Sequence, residues 1–434
     1  PRMISRKGYR PTNSVPGPED VTRVKLDNGI VVLVRPNFNS PSVVVTGGLN
    51  VGSLQDKDET LGLSDFVASA LMRGNQTKDF NQVYDKLESA GASLGFSGGT
   101  HTTGFNGKSL VEDIELLLGL LKESLFTPTF PEDQIEKLRA LVLTGLAMRS
   151  QSTGEQAAMA FDNIVYHGHP YSRPDEGYPE TVREFTKESM TNFHADHYGP
   201  KGMRIAIVGG IDPDEAVDIV KSFFGDWQNP SQKEVPQLPP WQPLGESKSV
   251  RKEILGKSQS DLIVGTAGPK RSSPDFLPAA LGNSILGQFG MMGRGGEIVR
   301  EQAGLAYYAN SSLSSSIGPG PWSVSAGVNP KNEDQAVELI KKELTRFGSE
   351  LVDEEELEDN QANFIGRTPL SLESNIGVAA SLLHIEKHQL GLDYYIRYPE
   401  RIRAITREDI LIAAQKYLDP EKMVTAIAGP PLQE

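Results

Sequence analysis

Two stretches of this chain match at a fixed offset. FTKESMTNFHADHYGPKGMRIAIVGG begins at Phe185, and ITREDILIAAQKYLDPEKMVTAIAGP begins at Ile405, 220 residues later with no gap. Thr186 matches Thr406, Glu188 matches Glu408, Pro200 matches Pro420, Met203 matches Met423, Ala206 matches Ala426 and Gly209 matches Gly429, while Tyr198 falls beside Tyr417 and Leu418. Each copy reads as a Thr-x-Glu helix start, an amphipathic helix, a turn, and a buried strand ending in glycine. A unit that closes each half of a chain implies two halves folded alike. Between them, QNPSQKEVPQLPPWQPLG, residues 228–245, carries five prolines and little periodicity, which marks a linker. The division is an arm at 1–20, a first domain at 21–227, a linker at 228–248 and a second domain at 249–434.

Within the first half, VTRVKLDNGIVVLVRP sets Asp-Asn-Gly between apolar runs, a hairpin signal, and SVVVTGGLNVGS reads as a third strand. Helices are expected at about 61–73, 80–90, 111–125 and 132–149, the last started by Pro131 and Asp133. Strands mixed with helical hairpins in both halves give an α+β class: two homologous domains, each an antiparallel-rich sheet packed with helices.

The net charge of −14 argues against a nucleic-acid partner, which needs a basic footprint. With no cysteine, disulfides, thiol catalysis and Cys-ligated zinc are excluded. No apolar run approaches the ~20 residues of a membrane span. The chain starts at Pro1, as after removal of an initiator Met or a signal peptide, so the periplasm or exterior and the cytoplasm both stay open.

GLSDFVASALMRG, residues 62–74, has its apolar stripe at Leu63, Phe66, Val67, Ala70 and Leu71, with Asp65, Ala68 and Ser69 on another face. With VKLDNGIVVLV, with YHGHPYSRPDEGYPETV at 166–182 and with VREQAGLAYYANSS at 299–312, it resembles the pitrilysin/insulinase-type metallopeptidases, especially their processing-peptidase-like branch. The likeness runs from about Val21 to the C-terminus. In catalytic members two histidines of H-x-x-E-H and a later glutamate bind zinc, and the motif glutamate activates the metal-bound water. The resemblance puts Asp65 and Ser69 at the histidine positions and Ala68 at the base. Thr144 and Gly145 fall where the later glutamates stand. The ligands and base are thus replaced, and no zinc is expected in this chain.

Arg300 and Tyr307 match an arginine and a tyrosine that hold substrate beside the zinc in the family. Locally, 297–303 reads as a helix end, Gly304 as its cap and 305–312 as a strand, a turn that lets the two side chains converge. A guanidinium and a phenol both donate to a scissile carbonyl or its oxyanion. The resemblance implies a zinc-lacking subunit of a heterodimeric zinc peptidase, which supplies Arg300 and Tyr307 to the zinc of a homologous partner. The two halves would enclose a chamber for a peptide or unfolded polypeptide. Alternatives are an inactive structural core subunit of a larger complex and a homodimeric peptide-binding protein.

The glycine-rich LGQFGMMGRGGE, 286–297, lacks P-loop and G-x-G-x-x-G spacing. It matches either a substrate-contacting loop of the family or a close-packed turn. Residues 91–105, GASLGFSGGTHTTGF, correspond to the family's substrate-binding edge strand. His384 and His388 share a helical face without H-E-x-x-H order and read as an exposed pair; His194/His197 and His167/His169 also lack that order.

Overall fold

The computed structural model describes residues 15–288, 306–314 and 316–432. Strands β1 (Thr22–Lys25) and β2 (Val31–Pro36) form the expected antiparallel hairpin. Gly29 takes a φ of 96° in its turn, a conformation that favours glycine. β3 (Ser42–Leu49), β4 (Ser93–Ser97), β5 (Thr103–Leu110) and β6 (Arg204–Gly209) complete a six-stranded sheet in the order β1-β2-β6-β3-β5-β4.

The second sheet, from β7 (Lys248–Glu253), β8 (Ser260–Ala267), β9 (Ala306–Leu313), β10 (Pro321–Val328) and β11 (Val424–Gly429), runs β7-β11-β8-β10-β9. β2 pairs parallel with β6, as β7 does with β11; every other pairing in both sheets is antiparallel. One sheet is therefore the other with β1 added at its edge. The repeated unit keeps its spacing in three dimensions. The helix Lys187–His197 lies 220 residues before its counterpart Arg407–Tyr417, and β6 lies 220 before β11. Thr186 and Thr406 both cap, but the reciprocal partner is the third helical residue and not the glutamate. Ser189 N–H donates to Thr186 Oγ1 at 3.1 Å, and Asp409 N–H donates to Thr406 Oγ1 at 3.2 Å.

Of the expected helices, α2 (Phe80–Ser89), α3 (Ile114–Phe126) and α4 (Glu132–Ser150) fall within a few residues of their predicted bounds. α1 is shorter, Leu63–Ala70. Its end tightens into i→i+3 bonds, Leu71 N to Ala68 O and Arg73 N to Ala70 O, and Gly74 then turns away at a φ of 140°.

Alternate residues of β2 explain its unbroken apolar run. Val32 and Val34 face a core with α1–α4, while Val31 and Leu33 face a second core on the other side. That other side is covered by a helix from the second half, Asn375–Lys387, through Val378, Ala379, Leu382 and Ile385. Reciprocally, α5 (Thr153–Val165) lays Phe161 and Val165 on Ala267, Val424 and Ala426 of the second sheet. Each half thus lends a helix to the other's sheet. Residues 228–247 form neither helix nor strand, and the Trp241 indole N–H donates to Val165 O at 2.8 Å, which ties this stretch to α5. Residues 15–20 do not run free: Arg35, 5 % exposed, pairs with Asp20 at 2.9 Å.

Candidate functional site

Helix α1 begins at Gly62, whose φ of 96° places it in the left-handed region. No side chain of the helix caps it. Asp56 does so from the preceding loop: Gly62 N–H and Ser64 N–H donate to its two carboxylate oxygens, each at 3.0 Å. Burial nevertheless pushes the Asp56 carboxyl up to about 8. A Cβ at Gly62 would lie 2.6 Å from Glu176 O, and one at Gly177 would lie 2.1 Å from Leu61 O, so residues 175–177 press directly on the helix start. Leu63, Phe66, Val67, Ala70 and Leu71 are buried, worth roughly 1.5–3 kcal/mol for each large side chain. Phe66 meets Phe185 edge-on with ring centroids 5.4 Å apart.

The face carrying Asp65, Ala68 and Ser69 is turned inward and not toward solvent. Ala68 is 1 % exposed, and Asp65 and Ser69 are half-buried. Gly98, in the turn between β4 and β5, sits against Asp65 so closely that a Cβ there would lie 2.4 Å from its Oδ1. Burial, with the Glu176 and Asp175 carboxylates adding to it, pushes Asp65 up to about 6. Helix α4 packs beside α1, with the Arg139 guanidinium 5.9 Å from the Phe66 ring centre. On α4, Thr144 and Gly145 are exposed. Thr144 Oγ1 donates to Ala140 O at 2.8 Å, and a Cβ at Gly145 would meet nothing within 4 Å.

The donors present do not fit a zinc ion. Positions 65, 68 and 69 of α1 offer one carboxylate and one hydroxyl, and α4 contributes no ligand at Gly145. The nearby acids are engaged elsewhere: Asp175 with Ser53 and Thr100, Glu176 with Arg149, Asp56 with the helix start. Among the described residues no group of three or more His, Cys, Asp and Glu side chains is placed to hold a metal.

In the second domain Arg300 and loop residues 289–297 lie outside the described residues. Tyr307 is described, on β9, the edge strand of its sheet. The strand is not regular there. Ala306 pairs with Val328 and Tyr308 with Gly327, so Tyr307 has no partner across the ladder and stands in a β-bulge. It is 61 % exposed, and its hydroxyl has no partner among the described residues. Tyr308 differs: its hydroxyl donates to Asp261 Oδ1 at 2.6 Å, and its ring lies over Gly327, where a Cβ would be 2.4 Å from it. Asp261 also receives Thr153 from α5 and Gln259. Tyr308 is thus anchored while its neighbour is exposed.

The His-Pro-Tyr stretch, flagged in the sequence only by resemblance, joins the two domains. Tyr171 OH meets His101 Nε2 at 2.7 Å in the first domain, and Ser316 Oγ at 2.8 Å and the Gly318 N–H at 2.9 Å in the second. Tyr166 OH donates to Pro319 O at 2.8 Å. Ser316, Gly318 and Pro319 belong to the connection between β9 and β10, so the clasp holds the strand that presents Tyr307. Sequence reasoning missed Asp56, Tyr171 as a bridge and Asp261; the only signal available was Pro170 next to tyrosine in a histidine-rich loop. His384 and His388 are not an exposed pair. Both are half-buried with rings 4.8 Å apart, and His384 Nε2 accepts from Arg271 Nε at 3.2 Å. Glu386 points away to a bidentate pair with Arg23, at 2.9 and 2.8 Å.

Residues 31–176 match the family described as insulinase (peptidase family M16), and residues 184–364 match its peptidase M16 inactive domain. The chain belongs to the M16 peptidase family. An "uncharacterized zinc protease" of Rickettsia felis is 25 % identical over 417 residues, covering 94 % of this chain and 97 % of that protein. One of Mycobacterium leprae is 26 % identical over 420 residues, covering 94 % and 92 %. In three dimensions the chain resembles a peptidase M16 inactive domain from Pseudomonas fluorescens, with a TM-score of 0.89 at 24 % identity over 95 % of this chain and 98 % of that one. It also resembles a protease from Helicobacter pylori, with a TM-score of 0.87 at 19 % identity over 96 % and 100 %. The relatives' names speak of zinc, whereas α1 of this M16 chain carries Asp65, Ala68 and Ser69 on its inward face. No helix among the described residues is long and apolar enough to cross a membrane.

Proposed function

We propose that this M16 chain is the zinc-lacking subunit of a two-subunit zinc peptidase, acting on peptides or unfolded polypeptides and supplying Tyr307 with Arg300 to the partner's zinc site. The observation that carries the reading is the bulge at Tyr307. It exposes a phenol on a sheet edge, its hydroxyl without a partner among the described residues, beside a tyrosine whose hydroxyl donates to Asp261. Bulges re-aim side chains next to active sites, and a phenol is a donor for an oxyanion. Ala68 gives this chain no proton acceptor of its own at the position of the family's base, so chemistry must come from a subunit that has one. The partner would be a homologous subunit with H-x-x-E-H and the later glutamate.

Affinity purification of the tagged chain from its native source tests the reading. A homologous H-x-x-E-H subunit should co-purify in near-equal amount, and elemental analysis should place about one zinc in the pair and none in this chain. Recovery with only itself, or with subunits of a respiratory or other structural assembly, would contradict it.

A further inference from the structure

A buried arginine with no counter-ion among the described residues lines a cavity in the second domain, apart from both features above. Arg271 follows β8 and is 7 % exposed. Its Nε donates to His384 Nε2 at 3.2 Å and its Nη2 donates to the Tyr394 hydroxyl at 2.6 Å. Its remaining nitrogen, Nη1, has no acceptor, and no carboxylate pairs with the guanidinium, among the described residues. Both partners are neutral. Burial and the charges of Arg271 and Lys387 hold the His384 ring down at about 4, so its nitrogen accepts and adds no charge. A buried guanidinium served only by neutral groups is heavily penalised unless an anion meets it.

The surroundings say what kind of anion. The guanidinium lies 4.7 Å from the Phe276 ring centre and 5.3 Å from that of Tyr394, whose hydroxyl accepts from Nη2, so among the described residues Nη1 is the N–H group left for an acceptor. Arg271 lines a cavity of about 420 Å³, within the range of small-molecule sites. Phe364, Tyr395 and Tyr398 form much of the remaining wall. Two arginines line the cavity, but Arg367 lies 4.0 Å from the Phe364 ring centre and has partners of its own; the Arg271 fork matches one carboxylate in shape and charge, and aromatic walls match an apolar or aromatic body.

We propose that this cavity is a binding site for a monocarboxylate carried on an apolar or aromatic group. The source is either a free organic acid or the C-terminal end of a peptide with an aromatic last residue, and the test separates the two. The inference does not depend on the peptidase reading.

Isothermal titration of the full chain would use 3-phenylpropanoate, its neutral amide, and the acid and amide forms of acetyl-Ala-Ala-Phe. At least one acid should bind with a Kd below about 1 mM, and its amide should bind at least ~10-fold more weakly, because a charge-assisted pair is lost. Arg271→Gln should weaken the acid at least ~10-fold. Because Arg271 is buried, Thr368→Phe serves as the second variant. It fills the cavity from its wall, keeps the arginine, and should also cost at least ~10-fold while the melting temperature stays near that of the native chain. Tighter binding of the peptide acid assigns a peptide end, and tighter binding of the small acid assigns a free metabolite. Equal affinity for acid and amide, no binding of either acid at about 10 mM, or acid binding unchanged in Thr368→Phe would overturn the proposal.

Discussion

Asp65 is the residue whose burial among other acids leaves a measurable trace. Its carboxyl titrates near 6 because it is buried among other acids, against an ordinary 3.8. The folded chain therefore takes up a proton at higher pH than the unfolded chain. Above about pH 6 the fold carries the full cost of a buried charge, and as pH falls from 6 toward 3.8 that cost disappears. Asp65→Asn should raise stability by about 1–2 kcal/mol at pH 8, after allowance for partial exposure, and by nearly nothing at pH 4. Melting curves at the two pH values check this; a lower melting temperature for the variant at pH 8 would show the carboxylate to be a favourable partner. A companion expectation follows from Gly145. Restoring Asp65→His, Ala68→Glu and Ser69→His gives two ligands on α1 and none on α4, so dialysed protein should hold zinc no tighter than micromolar. Nanomolar zinc affinity in the triple variant, measured by competition with a chelating dye, would contradict the match of Gly145 to the missing ligand.

Among elements, the two lent helices decide how the halves depend on each other. Leu382 is fully buried, yet its core residues Val31, Leu33 and Val208 belong to the other half. Leu382→Ala should cost about 2–5 kcal/mol. The loss should appear as faster amide exchange in β2 and β6 of the first sheet as well as in the variant's own helix; exchange confined to 375–387 would refute the coupling. The exact 220-residue repeat of the helix Lys187–His197 and β6 was legible because caps, apolar period and terminal glycine recur in one stretch. The lending of helices was not, because the apolar faces of α5 and of 375–387 state that they are buried and not by which sheet. The end of α1 was overrun for a local reason: Leu71 and Met72 continue the apolar stripe while the backbone has already tightened toward Gly74. The bulge at Tyr307 was likewise hidden, since it is set by the register against Gly327 and Val328 on a strand twenty residues away.

At the scale of the whole molecule, the chain is two copies of one α+β unit joined by crossed helices, with a tyrosine bridge between the loop that follows β4 and the connection that follows β9, the strand that presents Tyr307. Tyr171→Phe leaves His101, Ser316 and the Gly318 N–H without a shared partner, at a cost of about 1–3 kcal/mol. It should lower the melting temperature and quicken exchange at 316–320; an unchanged melting temperature would mean the bridge contributes nothing. The most direct test of the shared-site account compares two adjacent tyrosines in the reconstituted pair. Tyr307→Phe in this subunit alone should cut peptide turnover at least ~10-fold, since loss of one transition-state donor typically costs ~10²–10³ in kcat, with assembly and melting temperature unchanged. Tyr308→Phe breaks the bond to Asp261 and should do the reverse, lowering the melting temperature while turnover stays near normal. Normal turnover from a pair carrying Tyr307→Phe would contradict the account and leave this chain a scaffold.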